Sequence, residues 1–323
     1  MKEVRLEFDD LNSATKHFAN ELLKSSSVLS TNDANSDKYK NELGGELIQQ
    51  FFVLKSPQAV IGTFENHKPH KWWTYGEILS EMLNLDPPIM YKYKPELFDK
   101  HYDLLEDGRM QYTYSSRFTE FNQFVNIFKK LKENPNSKRC VIDIFTPYDT
   151  APDRKDTPCT TMYHLIHRDG KLNMSVFYRS WDFFGGFKTY DFALSSFIQQ
   201  SFCSWLGMEL GNLGFYVNSL HYYNRDRQNL ENLVNEMNVS DKRSDLLALN
   251  EKTNMREFYN QLREIKHVED AAYHHNFEDA EKSKNKISIA LFKDMAETWI
   301  NKNKQQLQSS SNYEGSNRPA GYD

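Results

Sequence analysis

A cysteine stands directly behind a proline at Pro158-Cys159, and an Arg-Ser-x-Asp run, Arg179-Ser180-Trp181-Asp182, follows twenty residues after it. Three readings compete for the cysteine. As a small apolar residue it would be buried in a strand. As a zinc ligand it would need the Pro-Cys-x-x-Cys spacing of the nucleotide deaminases, but Met162 occupies the second thiolate position. His267, His274 and His275 lie far downstream on a polar helical segment and read as solvated, so no metal is expected. As a nucleophile the thiolate would add to an electron-poor carbon, provided cationic neighbours stabilise it. Arg179 on the partner strand can approach Cys159, and Lys138-Arg139 stand ahead of the strand before it. A thiol beside an anion site fits covalent chemistry on a small phosphorylated substrate.

These residues need a sheet to position them. TMYHLIH and KLNMSVFY read as two strands joined by Asp169-Gly170, a two-residue hairpin turn, with CVIDIF (140–145) as a buried-type strand ahead of them. ELIQQFFVL and QAVIGTF read as paired strands about Lys55-Ser56-Pro57, and 213–220 as a further strand. Helices are predicted over 12–24 (Ala14, Phe18 and Leu22 inward), 75–84 and 191–206. Another is predicted over 118–132, with Phe121, Phe124, Val125 and Phe128 on one stripe and a stop at Asn134-Pro135. Beyond residue 226 the chain turns to charged helical segments, the best of them 286–301 with Leu291, Met295 and Trp299 on one face. Residues 305–323 read as a disordered polar tail, and 1–304 as one domain.

The bulk numbers are compatible with that design. The 323 residues suffice for a large core, and the aromatic content of 14 % argues against general disorder. A formal net charge of −5 points away from direct nucleic-acid binding. Three cysteines are too few for a disulfide framework. No signal-like start and no long apolar run is present, so a cytoplasmic protein that does not span a membrane is expected.

Four motifs occur in order: Asn134-Pro135-Asn136-Ser137-Lys138-Arg139, Pro158-Cys159, Arg179-Ser180-Trp181-Asp182 and His221-Tyr222-Tyr223. Together they resemble the series of the thymidylate synthase family, which includes the deoxycytidylate hydroxymethylases: Asn-Pro-x-Ser-Arg-Arg, Pro-Cys, Arg-Ser-x-Asp and His-x-Tyr. The resemblance covers roughly residues 75–226 and leaves a divergent helical part, 227–304. It implies an α+β fold, a twisted mixed β-sheet packed with helices, and a homodimer formed through the sheet. It implies a pyrimidine nucleoside monophosphate as substrate and 5,10-methylenetetrahydrofolate as co-substrate.

In that resemblance Cys159 attacks C6 of the pyrimidine, and C5 then takes a one-carbon unit. Glu81 resembles the general acid/base glutamate, with Glu77 as its alternative. Tyr112 resembles the tyrosine that assists loss of the C5 proton, with Thr113 replacing the usual glycine. Arg179 and Ser180 would hold the phosphate within the subunit, and Lys138 and Arg139 would reach it from the other subunit. Lysine in place of the first arginine of that pair loses the bidentate fork. His221 and Tyr223 would meet the sugar hydroxyl, and Asp182 the pterin ring. The family's N-terminal phosphate-clamping arginine has no clear match, Lys38 or Lys40 being the substitutes, and Tyr178 replaces a usual glutamine.

Base choice rests on Asp191-Phe192-Ala193. Thymidylate synthases carry an asparagine here, whose amide donates to uracil O4 and accepts from N3–H. Deoxycytidylate hydroxymethylases carry an aspartate followed by an aromatic residue and alanine. A carboxylate accepts from the cytosine amino group but opposes uracil O4 acceptor to acceptor. Asp191 lies one residue later than the usual spacing, which falls on Tyr190; a helix N-cap is its other reading. The polar C-terminal tail replaces an apolar one that seals the folate site, which suits addition of water and a 5-hydroxymethyl product. Folate-dependent hydroxymethylation of dCMP, or of CMP, is therefore expected. Methylation of dUMP is the alternative, and a catalytically silent nucleotide-binding protein on the same fold is the third reading.

Overall fold

Asp169 and Gly170 both take left-handed backbone, with φ of 52° and 79°. That is the conformation a two-residue hairpin of the primed type requires. The turn joins β6 (Thr160–Arg168) to β7 (Lys171–Tyr178) in antiparallel register, Arg168 opposite Lys171 and Thr160 opposite Tyr178. The pairing slips between Thr160 and Met162, an irregularity immediately after Cys159. Such bulges re-aim side chains at the ends of strands.

The computed structural model describes residues 6–25, 28–30, 43–64, 70–95, 112–150, 157–187, 190–239 and 243–315. Lys38 and Lys40 lie outside them. Around the hairpin the expected α+β architecture is present, an eight-stranded mixed sheet of order β1-β3-β9-β7-β6-β5 among the described residues. The remaining strands of that path are β1 (Leu6–Phe8), β3 (Leu43–Leu54), β5 (Cys140–Asp143) and β9 (Glu209–His221). β2 (Val28–Ser30) pairs with β3, and β8 (Trp181–Asp182) runs parallel to the end of β9. ELIQQFFVL and QAVIGTF do not pair with each other as expected. β3 pairs with β9, whereas β4 (Ala59–Ile61) pairs with β10 (Asp245–Leu246). The Lys55–Gln58 segment carries the chain out of the sheet, and Lys55 and Ser56 donate their N–H groups to the β1 end at Phe8 and Asp9.

Helices cover the sheet through an aromatic core. In α1 (Leu11–Lys24) Ala14, Phe18 and Leu22 are buried as expected, and Asp10 caps it by accepting from Ser13 N. α2 (Lys71–Leu83) begins a turn earlier than predicted and ends at Asn84 in left-handed conformation. The helix predicted over 118–132 is broken. α3 (Tyr114–Thr119) and α4 (Gln123–Glu133) are separated by Phe121 and Asn122, both at positive φ. Phe121 and Val125 are exposed, while Phe124, Ile127 and Leu131 are buried, because the kink rotates the apolar stripe past the predicted one. α5 (Tyr190–Leu206) is buried on all sides from Asp191 to Trp205. Two of its glutamines are tied into the fold: Gln199 donates to Leu172 O at 2.8 Å, and Gln200 donates to Leu247 O at 2.8 Å and accepts from Leu249 N at 2.8 Å. α6 (Arg227–Val239) follows β9.

The chain forms two compact units, residues 1–252 and 253–323. The second unit is helical: α7 (Met255–Tyr273), α8 (Phe277–Lys284) and α9 (Ala290–Gly315). Leu291, Met295 and Trp299 are buried there as the periodicity predicts, with Phe258 edge-on to Phe292 at 5.1 Å. α9 continues through residue 315, so the first part of the segment read as a tail is helix; 316–323 lie outside the described residues. Among the described residues no helix is long and apolar enough to cross a membrane.

Candidate active site

Cys159 sits half-buried between Pro158 and the first residue of β6. Arg179, at the end of β7, is bound to that turn. Its N–H donates to Cys159 O at 3.0 Å, its Nε to Pro158 O at 2.9 Å, and its Nη2 to Thr157 O and Oγ1 at 2.7 and 2.8 Å. The same Nη2 lies 3.9 Å from Cys159 Sγ. Hairpin pairing thus brings the two sequence-predicted residues together. A guanidinium has five N–H donors, and those of Nη1 have no partner among the described residues, so the group can still bind an anion.

Three carboxyls, Glu77, Glu81 and Asp191, are buried close enough to feel one another's charge, and Tyr114 feels both Asp191 and Cys159. Glu77 and Glu81 stand one turn apart on one face of α2. A Glu81 carboxyl oxygen accepts from Ser115 N, and burial lifts its pKa to about 7 against that bond. Burial raises Glu77 well above the usual range, helped by the charges of Glu81 and Asp191 and opposed by a bond from Trp73. Asp191, 7 % exposed, belongs to the first turn of α5 and is not its N-cap. It accepts from Trp181 Nε1 at 2.6 Å, and burial brings its pKa to about 7. Its charge is felt by Glu77, Glu81, Tyr114, Tyr163 and Tyr178. Tyr190 is half-buried.

Beside the cysteine turn stands Tyr114, two residues on from the Tyr112 singled out from sequence. Its hydroxyl accepts from Thr160 N at 3.2 Å, and the charges of Asp191 and Cys159 add to burial in raising its pKa. The ring of Tyr112 lies 5.7 Å from the Arg117 guanidinium. Thr113 caps α3 with a capping box, so the chain turns into the helix there and aims Tyr114 at β6. Ser195, which hydrogen-bonds with Tyr178 and Tyr163, was not singled out from sequence. The Thr160 side chain hydrogen-bonds with Tyr114 and Tyr163.

At the rim, Asp182 accepts from Phe184 N at 3.0 Å and faces His221. Burial dominates both, raising the Asp182 pKa and lowering that of His221. His221 Nδ1 lies 3.3 Å from Ser219 Oγ, and Tyr223 stands edge-on to the imidazole at 5.3 Å. Ser180 follows Arg179 at the same rim and is half-buried. Lys138 and Arg139 are elsewhere. Both are exposed ahead of β5, where Lys138 O meets His164 Nε2 at 3.2 Å. His164 is five residues along β6 from Cys159, roughly 17 Å at strand rise, so one chain does not bring this pair to its own cysteine. Among the described residues no cluster of three or more His, Cys, Asp or Glu could hold a metal ion.

Against known proteins, a family model described as thymidylate synthase matches residues 50–283. A deoxyuridylate hydroxymethyltransferase of Bacillus phage SP01 is 32 % identical over 108 residues, 33 % of this chain and 28 % of that protein. A putative thymidylate synthase of Methanosarcina acetivorans is 29 % identical over 133 residues, 40 % of this chain and 60 % of the relative. A thymidylate synthase of Listeria monocytogenes serotype 4a is 25 % identical over 154 residues, 43 % and 48 % of the two chains. In each case the match spans less than two thirds of the relative's length.

Proposed function

Because this chain belongs to the thymidylate synthase family, we propose that it is a one-carbon transferase that hydroxymethylates C5 of a cytosine nucleoside monophosphate, dCMP first and CMP second. The observation that supports the base choice is the Asp191 carboxyl, buried within reach of the charges of Glu77 and Glu81, which we assign to the position where an amide reads uracil in thymidylate synthases. The hydroxymethyl outcome is supported by the phage relative, a hydroxymethyltransferase by name, although that name gives deoxyuridylate as the substrate.

In this reading Cys159 Sγ adds to C6 while Arg179, tethered through Thr157 and Pro158, places a cation beside the sulfur and offers Nη1 to the phosphate with Ser180. Glu81 and Tyr114 manage the proton at C5, Tyr114 taking the part assigned to Tyr112 from sequence. A carboxyl near pKa 7 is matched to such transfer at neutral pH. His221 and Tyr223 meet the sugar. Methylenetetrahydrofolate, the family's co-substrate, supplies the one-carbon unit; Asp182, at the rim with its carboxyl beside His221, suits the N–H groups of a pterin. Lys138 and Arg139, remote from Cys159 in their own chain, would serve the phosphate of a second subunit in a homodimer.

A second reading has a specific support. A neutral Asp191 can donate and accept as an amide does, and its pKa of about 7 makes that form accessible, so dUMP remains the alternative substrate, with methylation as the alternative chemistry. Product analysis from dCMP, CMP and dUMP with methylenetetrahydrofolate separates these. A hydroxymethyl gain on a cytosine nucleotide is expected; a methyl gain confined to dUMP overturns the reading, and nucleotide binding with no product would return the chain to a silent binding protein.

A further inference from the structure

We propose that Trp181 is the positioning residue that decides which pyrimidine Asp191 accepts, by holding one oxygen of the Asp191 carboxyl as a fixed acceptor. The inference rests on the base-reading role of Asp191 given above and deepens it. Trp181 Nε1 donates to Asp191 Oδ2 at 2.6 Å, and both side chains are buried. An indole N–H can only donate. Oδ2 is therefore the favoured acceptor, and in the neutral acid the proton favours Oδ1.

The arrangement is held on three sides. The indole lies parallel to the Tyr178 ring at 4.0 Å and 7°, and contacts Phe187 and Phe192, each at 5.0 Å. Gly186 closes over the bond: a Cβ there would lie 2.4 Å from Asp191 Oδ2 and 2.7 Å from Trp181 Nε1. Turning the neutral carboxyl over would set its protonated oxygen, the weaker acceptor, against the buried indole N–H.

A fixed donor-acceptor order has a direct consequence for base choice. The cytosine edge presents an acceptor at N3 beside an amino donor, and uracil presents a donor at N3 beside an acceptor at O4. A carboxyl whose proton is free to move can match either edge. With the cytosine substrate proposed above, Oδ2 would face the amino group and the protonated Oδ1 would face N3, so the cytosine edge is matched and the uracil edge is opposed at both atoms. Trp181 thereby makes a tolerant acid selective.

The test replaces Trp181 with phenylalanine (Trp181→Phe). In parallel it uses the benzothiophene analogue of tryptophan at the same position, which keeps the stacked ring and lacks only the N–H. Binding and kcat/KM are measured for dCMP and dUMP from pH 6 to 9. The charged and titratable groups facing Asp191, namely Glu77, Glu81, Tyr114, Tyr163, Tyr178 and Asp182, stay in place in both variants. The dCMP-to-dUMP ratio is expected to fall at least tenfold, chiefly by a gain on dUMP. The pH at which discrimination changes should rise, because the lost bond favoured the ionised carboxyl. A ratio and pH profile unchanged in the folded analogue protein overturn the proposal. If the unmodified protein does not discriminate, or Asp191→Asn leaves its ratio unchanged, the base-reading role itself fails, and the proposal with it.

Discussion

The Arg179 guanidinium lies 3.9 Å from Cys159 Sγ and is bound at the same time to the carbonyls of Thr157 and Pro158. The hairpin register fixes this relationship, since Thr160 and Tyr178 are paired and their neighbours at the strand ends must meet. Arg179→Ala should loosen the cysteine turn and remove an anion ligand together. Hydrogen bonds to charged groups contribute about 1.5–3 kcal/mol each, so the nucleotide Kd should weaken roughly 10- to 100-fold, as isothermal titration would read. An unchanged Kd would remove Arg179 from the phosphate site.

Cys159→Ser should abolish a covalent adduct while sparing nucleotide binding. Intact-protein mass spectrometry with a 5-fluoropyrimidine deoxynucleotide and methylenetetrahydrofolate reads the adduct directly. Persistence of an adduct in the serine variant would place the nucleophile elsewhere.

Tyr114→Phe should lower kcat about 10²–10⁴-fold, the usual range for a positioned acid or base, and Tyr112→Phe should lower it much less. Steady-state turnover of the two variants decides between them, and the reverse order would restore the sequence-based assignment.

Asp191 should destabilise the fold as pH rises. Its pKa moves from 3.8 unfolded to about 7 folded, so between about pH 4 and 7 the folded chain holds more proton than the unfolded one. Stability from this group is therefore full below about pH 4 and is lost as pH approaches 7, by up to roughly 4 kcal/mol. Asp191→Asn removes that penalty. Thermal unfolding should show the variant gaining on the unmodified protein as pH rises from 4 to 8; a constant difference would mean Asp191 is ionised without strain.

Cross-subunit use of Lys138 and Arg139 can be tested by mixing two inactive proteins, Cys159→Ser and Arg139→Ala. A mixed dimer would hold one site with both residues intact, so activity should return on mixing and subunit exchange. Ile48, Phe51 and Tyr216 are exposed on the sheet strands, a surface available for pairing two copies. No recovery would put Arg139 to work in its own chain or in no site.

What could be read from sequence was local. The Asp169-Gly170 turn, the strands it joins and the cysteine–arginine meeting follow from turn chemistry and alternation, which neighbouring residues carry between them. Asp191 was legible through the Asp191-Phe192-Ala193 pattern, although an aspartate at a helix start also reads as a cap. The misses are cases where spacing says nothing of direction. Tyr112 and Tyr114 are alike in type, and the Thr113 capping box that starts the helix between them is not announced by spacing. Positive φ at Phe121 breaks a stripe that periodicity reads as continuous. The Trp181–Asp191 bond closes over the wide turn Phe183–Phe187, and no pattern in the chain announces that approach.

Mass spectrometry of the products from dCMP, CMP and dUMP, each incubated with methylenetetrahydrofolate, tests the account most directly. A hydroxymethyl group on a cytosine nucleotide is the predicted result. A methyl group appearing on dUMP alone would contradict it and return Asp191 to a structural carboxyl at the head of α5.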